Sequence, residues 1–206
     1  MGSDSTIYRV VGKPGEPHFQ LQSKSIPELT LRVPTDIDIA TVIDILENKA
    51  NSEFDKSISD ATAEELQLIA QRWTIVNKPL THVNFLLRHK EQPLGIAGLG
   101  WIGPANSNDA SHQAERAGAA GVMLQPLWRG KGYAYEALRV VFEYGIRELG
   151  LVEIHVGSHS GNLPMKSLME KKFGLQPEVK AEELVDQFGN DLLWIVKREE
   201  WLSTND

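Results

Sequence analysis

Between residues 124 and 134 the chain reads LQPLWRGKGYA. Gly130 and Gly132 alternate there with the cations Arg129 and Lys131. On propensity alone each glycine weakens a helix start by about 1 kcal/mol, so some other demand retains them. A strand-to-helix turn alone is one such demand, and anion binding, which also gives the two cations a purpose, is the other. The first amides of a helix lack intrahelical partners and carry a partial positive charge. Glycines let backbone amides approach an oxyanion closely, and Arg129 and Lys131 add charge at the mouth. A phosphate or diphosphate is the natural ligand. Two familiar phosphate loops fail against this stretch. A P-loop needs a glycine where Gln125 stands and a hydroxyl where Gly132 stands. The dinucleotide fingerprint needs a third glycine where Tyr135 stands.

The elements that must position the loop follow from periodicity. Ala117–Leu124 reads as a strand leading in. Gly132–Leu149 reads as a helix leading out, with Ala134, Ala137, Leu138, Val141 and Leu149 buried and Glu136, Arg139, Glu143 and Arg147 wet. Leu151–Val156 is the next strand, Pro164–Lys172 a short helix, and Leu192–Arg198 a last strand facing residues 175–180. Upstream, residues 1–28 form an N-terminal extension, with a short strand at Thr6–Val11 and an extended lead-in over residues 12–28. Residues 29–206 form the domain. In it Leu29–Val33 is a strand, Thr35 with Asp38 opens a first helix, and Thr62 with Glu65 forms the capping box of a second. His82–His89 and Leu94–Ile102 form a hairpin around KEQP. The order is β-α-α-β-β-β-α-β-α-β-β: α/β, mixed and mostly antiparallel, with one strand–helix–strand crossover making a parallel pair.

Arg129-Gly130-Lys131-Gly132-Tyr133-Ala134 also fits Arg/Gln-x-x-Gly-x-Gly/Ala. With QPLWRGKGYAYEAL before the helix and GNLPMKSLMEKKFG after the next strand, the chain resembles the GNAT acyltransferase superfamily. Within it, the chain is most similar to the ribosomal-protein N-terminal acetyltransferase (Rim-type) branch. The resemblance spans residues 29 to 198. It implies a twisted mixed sheet with flanking helices, whose fourth and fifth strands splay apart around coenzyme A. It implies that Val122 and Leu124 offer backbone groups to the pantetheine arm. The amides of Arg129, Gly130, Lys131, Gly132, Tyr133 and Ala134 would hold the diphosphate. Asn162 would sit beside the pantetheine or thiol end, with Lys166 and Lys171 toward the outer phosphate. Read without the family, Asn162 is a helix cap. Two departures stand out: Phe173-Gly174 reverses the usual Gly-Phe, and Met169 occupies the place where many members carry a tyrosine acid.

The implied reaction is direct attack by an amine on acetyl-CoA, with a backbone N–H near Leu124 stabilising the oxyanion. Only a neutral amine attacks. A lysine-type amine is neutral in roughly one molecule per few thousand at pH 7, an α-amine in about a tenth. Candidate bases are Glu115 and His112, in the loop feeding the fourth strand, and His159, after the fifth; each also reads as a solvated loop residue. Trp73, Trp101 and Trp128 are candidates to line the acceptor site, between the first two helices and the loop Gly103–Arg116. The amine acceptor is a small molecule or a peptide or protein N-terminus. Two alternatives remain open: a non-catalytic acyl-CoA sensor or interaction module, and transfer to a hydroxyl or of a longer acyl chain.

Composition bounds these readings. The 206 residues carry net charge −7 and no cysteine. That excludes a disulfide scaffold, thiolate-held zinc and a cysteine nucleophile. The acidic balance argues against nucleic-acid binding and mildly favours a cationic acceptor. No membrane span, signal peptide or metal is expected, which leaves a cytoplasmic monomer or homodimer.

Overall fold

The computed structural model describes residues 6–13, 19–106 and 115–205. Its strands are β1 (Tyr8–Val11), β2 (Gln20–Ser23), β3 (Leu29–Arg32), β4 (Val83–His89), β5 (Gln92–Pro104), β6 (Arg116–Leu124), β7 (Glu153–Ser158), β8 (Glu178–Val179) and β9 (Leu192–Lys197). They form one sheet in the order β1-β2-β3-β4-β5-β6-β7-β9-β8. Every neighbouring pair is antiparallel except β6 and β7, the expected crossover. The helices are α1 (Ile39–Glu47), α2 (Lys49–Ser52), α3 (Lys56–Ser59), α4 (Ala63–Trp73), α5 (Tyr133–Glu143), α6 (Leu163–Ser167) and α7 (Arg198–Asn205). None of them is long and apolar enough to cross a membrane.

The sheet is buried on both faces at its centre, so β4 carries the near-continuous apolar run VNFLL rather than a clean alternation. Phe85 and Leu87 face the larger core, where α5 packs with Tyr8, Phe19, Tyr144 and Trp194. Leu86 faces the smaller one, closed by Val42, Ile45 and Leu46 of α1 and Leu66 and Ala70 of α4. In β5, Gly100 is an extra residue: Leu99 pairs with Ala120 and Trp101 with Ala119. This bulge bends the strand and leaves the Trp101 indole 45% exposed, while Leu99 and Ile102 both face the core.

Several expectations needed correction. Residues 12–28 are not simply a lead-in. Gln20–Ser23 pairs with β1 and β3, and Tyr8, Phe19 and Leu21 belong to the main core. The hairpin turn is tighter than KEQP, because Gln92 and Pro93 already pair with β4 and Lys90 takes a left-handed φ of 55°. The supposed wet face of α5 holds two buried carboxylates. Glu136 accepts from the Ser23 hydroxyl at 2.6 Å and from Arg139 Nε at 3.1 Å. Glu143, 0% exposed on its side chain, accepts from Trp201 Nε1 at 2.7 Å and Arg147 Nε at 2.8 Å. Elements distant in sequence, β2 and α7, cover that face and supply the donors; helical periodicity holds no trace of them. The helix then widens into a π-helical turn, Tyr144–Glu148.

Ahead of α1, the Asp38 carboxylate accepts from Arg32 Nη2 at 2.6 Å and from the Thr35 amide and hydroxyl at 2.8 and 2.9 Å. Burial alone would raise this carboxyl. The Arg32 and Thr35 bonds outweigh burial and hold it below the ordinary carboxylate range. A folded pKa below the unfolded value near 3.9 gives stability that is present above that value. It is lost as pH falls through the folded pKa. Asp38→Asn is therefore expected to lower the urea midpoint at pH 7. The gap between parent and variant should close as the titration is taken below about pH 4.

Candidate active site

The anion loop has the geometry its sequence requires. After β6, a 3-10 turn at Pro126–Trp128 closes with Trp128 N–H on the Gln125 carbonyl, and Arg129 N–H bonds the Pro126 carbonyl. From Gly130 to Tyr135, no backbone amide donates to any described residue. Six successive donors thus surround the N-terminus of α5, an arrangement that receives an anion. Gly130 and Gly132 have φ of 72° and 84°, a left-handed backbone in which side chains are strained. A Cβ built on either would meet nothing within 4 Å. Backbone angle, not crowding, demands the glycines, and the space above them is open.

The two cations of the loop differ in role. Arg129 Nε donates to the Leu124 carbonyl at 2.9 Å, and its Nη2 donates to the Ala50 carbonyl and Asn51 Oδ1, both at 2.7 Å. Its guanidinium therefore ties the end of β6 to α2, and what it offers the loop is its position. Lys131 Nζ lies 5.1 Å from the ring centroid of Trp128, which packs edge-on against Tyr133 and beside His89. That cation–π contact holds an ammonium at the mouth.

Beside the loop the sheet opens. β6 and β7 pair only through Ala117–Glu153, Gly118–Ile154 and Ala119–His155. Beyond these, β6 stays on β5 as far as Leu124 opposite Gly95, and β7 stays on β9 as far as Ser158 opposite Leu192. The two strands part over the stretch that contains Val122 and Leu124. On the face that carries α1 and α4, a row of small residues leads into this gap. Asn84, Gly98 and Gly121 are in register across β4, β5 and β6. A Cβ on Gly121 would meet nothing within 4 Å.

Comparison with known proteins gives this arrangement its family. The model of the acetyltransferase (GNAT) domain matches residues 28–174. The chain belongs to the GNAT acetyltransferase family. An uncharacterized N-acetyltransferase of Bacillus subtilis (strain 168), YnaD, is 29% identical over 84 residues, which cover 39% of this chain and 49% of that protein. The match thus spans about half the length of this curated relative. Two solved GNAT enzymes share the fold. Spermidine N-acetyltransferase from Vibrio cholerae, in complex with CoA and spermine, aligns with a TM-score of 0.66 and 17% identity, over 85% of this chain and 98% of that one. RimJ of Mycobacterium smegmatis, in complex with CoA-disulfide, aligns with 0.65 and 15%, over 94% and 86%.

Within this GNAT fold the candidate acid–base residues do not converge. Glu115 precedes β6 at the end where β6 and β7 are still paired, seven residues before Val122. At 3.3 Å per residue that is about 23 Å along the strand. His112 lies outside the described residues. His159 does follow the parting arm of β7. Its ring stacks on Phe54 at 5.9 Å, and its Nδ1 accepts the Gly161 amide at 3.0 Å. The lone pair of the neutral imidazole is thus engaged, and Nε2 carries the proton. Asn162 Oδ1 caps α6 by accepting from the Met165 amide at 3.2 Å; the described residues offer no partner to its Nδ2. Lys166 Nζ lies 4.0 Å from Glu170. Met169 is fully buried in the core, and so is Tyr144, whose phenol burial pushes up to about 12. Trp128 sits with His89 and Tyr133, which separates it from the expected acceptor wall.

Sequence reasoning missed Asn84, Phe54 and the Arg129 tether to α2. One signal was present. In GIAGLGWIG, glycines recur inside an otherwise apolar strand, which marks close approach of another backbone or a ligand.

Proposed function

We propose that this GNAT chain transfers an acetyl group from acetyl-CoA to a primary amine of a small molecule or of a peptide or protein N-terminus. The observation that carries the reading is the run of six unpartnered amides, Gly130 to Tyr135, at the open end of the parting β6–β7 pair. The amides of Gly130 to Ala134 and the ammonium of Lys131 would take the diphosphate, the expected Arg129 amide being already held by the Pro126 carbonyl. Val122 and Leu124 would bond the pantetheine arm, and Asn162 would offer Nδ2 to the same arm. Lys166 would face the outer phosphate.

In the reaction the amine nitrogen attacks the thioester carbonyl carbon, a β6 amide near Leu124 stabilises the oxyanion, and the C–S bond breaks. The thiolate leaves, and the proton lost by the nitrogen passes, directly or through water, to the sulfur to give the free thiol. A CoA thiolate is a good leaving group at neutral pH, so orientation carries much of the rate. An α-amine, neutral in about a tenth of its molecules at pH 7, needs little help from a base. That fits a site in which His159 has its lone pair engaged and Met169 replaces an acid.

Release of free thiol from acetyl-CoA, measured with and without a lysine-free peptide bearing an α-amine, tests the reading. Amine-dependent release with acetylated peptide in the mass spectrum is the expected result. The same two observations on the acid–base groups favour a second reading, a non-catalytic acyl-CoA-binding module. CoA binding without release for any amine would establish that one instead.

A further inference from the structure

We infer that the Asn84 carboxamide receives the acceptor amine. The inference rests on the transferase reading above. Asn84 lies on the central strand β4 and is 7% exposed, yet its side chain makes no hydrogen bond to any described residue. Its amide atoms are nevertheless not sealed off, since the buried polar side-chain atoms without a partner among the described residues are Tyr8 Oη, Tyr144 Oη and Trp194 Nε1. An incoming group can therefore reach the carboxamide and replace water on it. Its Oδ1 leans along the sheet, 3.0 Å from the point where a Gly98 Cβ would stand. Any side chain at Gly98 would also strike the Val83 carbonyl, at 2.4 Å. The close approach of β4 backbone demands glycine at 98 and brings Oδ1 over it, and the open space lies one strand further on, above Gly121 at the parting edge of β6. Strands stand about 4.8 Å apart, so Oδ1 over Gly98 is within one strand spacing of the β6 edge.

The chemistry suits an amine that must be uncharged to react. A carboxylate in this place would stabilise the ammonium form and raise the amine's pKa. A carboxamide oxygen accepts an N–H bond without that bias and leaves the nitrogen lone pair directed elsewhere. The polar neighbours on the same face are already committed. His82, two residues before Asn84, bridges Thr81 Oγ1 and the Arg72 carbonyl, and Arg32, opposite Leu86, holds Asp38. Asn84 is the polar group left over to meet the substrate on this row.

The test uses acetyl-CoA and a lysine-free peptide with a free α-amine. Asn84→Ala should raise the peptide KM about tenfold or more, one lost hydrogen bond being worth roughly this factor. KM for acetyl-CoA should not change. Asn84→Asp should move the constants apart: peptide KM held or lowered, because the carboxylate binds the ammonium, and kcat reduced, because that form does not attack. A merely structural role predicts neither pattern. In the parent protein, the Asn84 side-chain amide resonances should shift when the peptide is added to the CoA-bound form. This measurement stands even if a variant fails to fold. Turnover by the parent with parental constants in both variants, or unmoved Asn84 resonances at saturating peptide, overturns the inference alone. A parent that releases no thiol with the peptide overturns the inference together with the transferase reading.

Discussion

Gly132→Asp is expected to lower the affinity for CoA at least a hundredfold, about 2.7 kcal/mol, while the protein stays folded. Gly132 is the N-cap of α5 and sits at φ 84° with open space above it. A side chain there therefore displaces no protein atom. The fold loses only the strain of a left-handed residue, about 1–2 kcal/mol, and aspartate tolerates that region better than most residues. The carboxylate would, however, project among the amides proposed to hold the diphosphate and would repel that group at a few ångströms. Gly132→Ala is the control, since it carries the strain without the charge and should lose far less affinity. Arg129 is a poorer target than its charge suggests, because its substitution would also release α2 from the end of β6. Isothermal calorimetry with CoA decides the matter: parental affinity in Gly132→Asp would remove the loop from the binding site.

The second large effect concerns stability. Glu143→Ala should cost about 3 kcal/mol or more, the range found when one partner of a buried charged pair is removed. Glu143 lies at 0% exposure between α5 and α7, receiving the Trp201 indole on one oxygen and Arg147 on the other. Alanine removes both acceptors and opens a void beside the Phe142–Trp201 contact at 5.6 Å. Glu143→Gln retains an oxygen for the indole and should lose less. Urea unfolding at pH 7 reads the difference. A loss below about 1 kcal/mol for alanine would mean that α7 is held by its apolar contacts alone.

What the sequence disclosed and what it hid divide by range. Thr62 with Glu65, Thr35 with Asp38 and the glycines of the anion loop are local signals, and each appears in the structure where its spacing put it. The parallel pair followed from a strand, a helix and a strand in succession. Strand β2 was hidden because Gln20–Ser23 is only four residues long in a Pro- and Gly-rich context. Helix α7, REEWLSTN, has no apolar stripe and docks chiefly through Trp201. The buried carboxylates of α5 and the tether from Arg129 to Asn51 join residues from 58 to 113 positions apart, and no periodicity encodes such pairs. Asn84 was legible in principle, as the single polar residue in the otherwise apolar run VNFLL.

The bulge at Gly100 has an evolutionary consequence. A variant lacking that residue would place Leu99 and Ile102 two positions apart, and both would still point inward by ordinary pleating. The oily interior would not register the loss. Only the crook in the strand would vanish, and with it the tilt that lays the half-exposed Trp101 indole over Gly103. Insertion or deletion of a single residue at this point thus re-aims an exposed aromatic ring without jeopardising the scaffold.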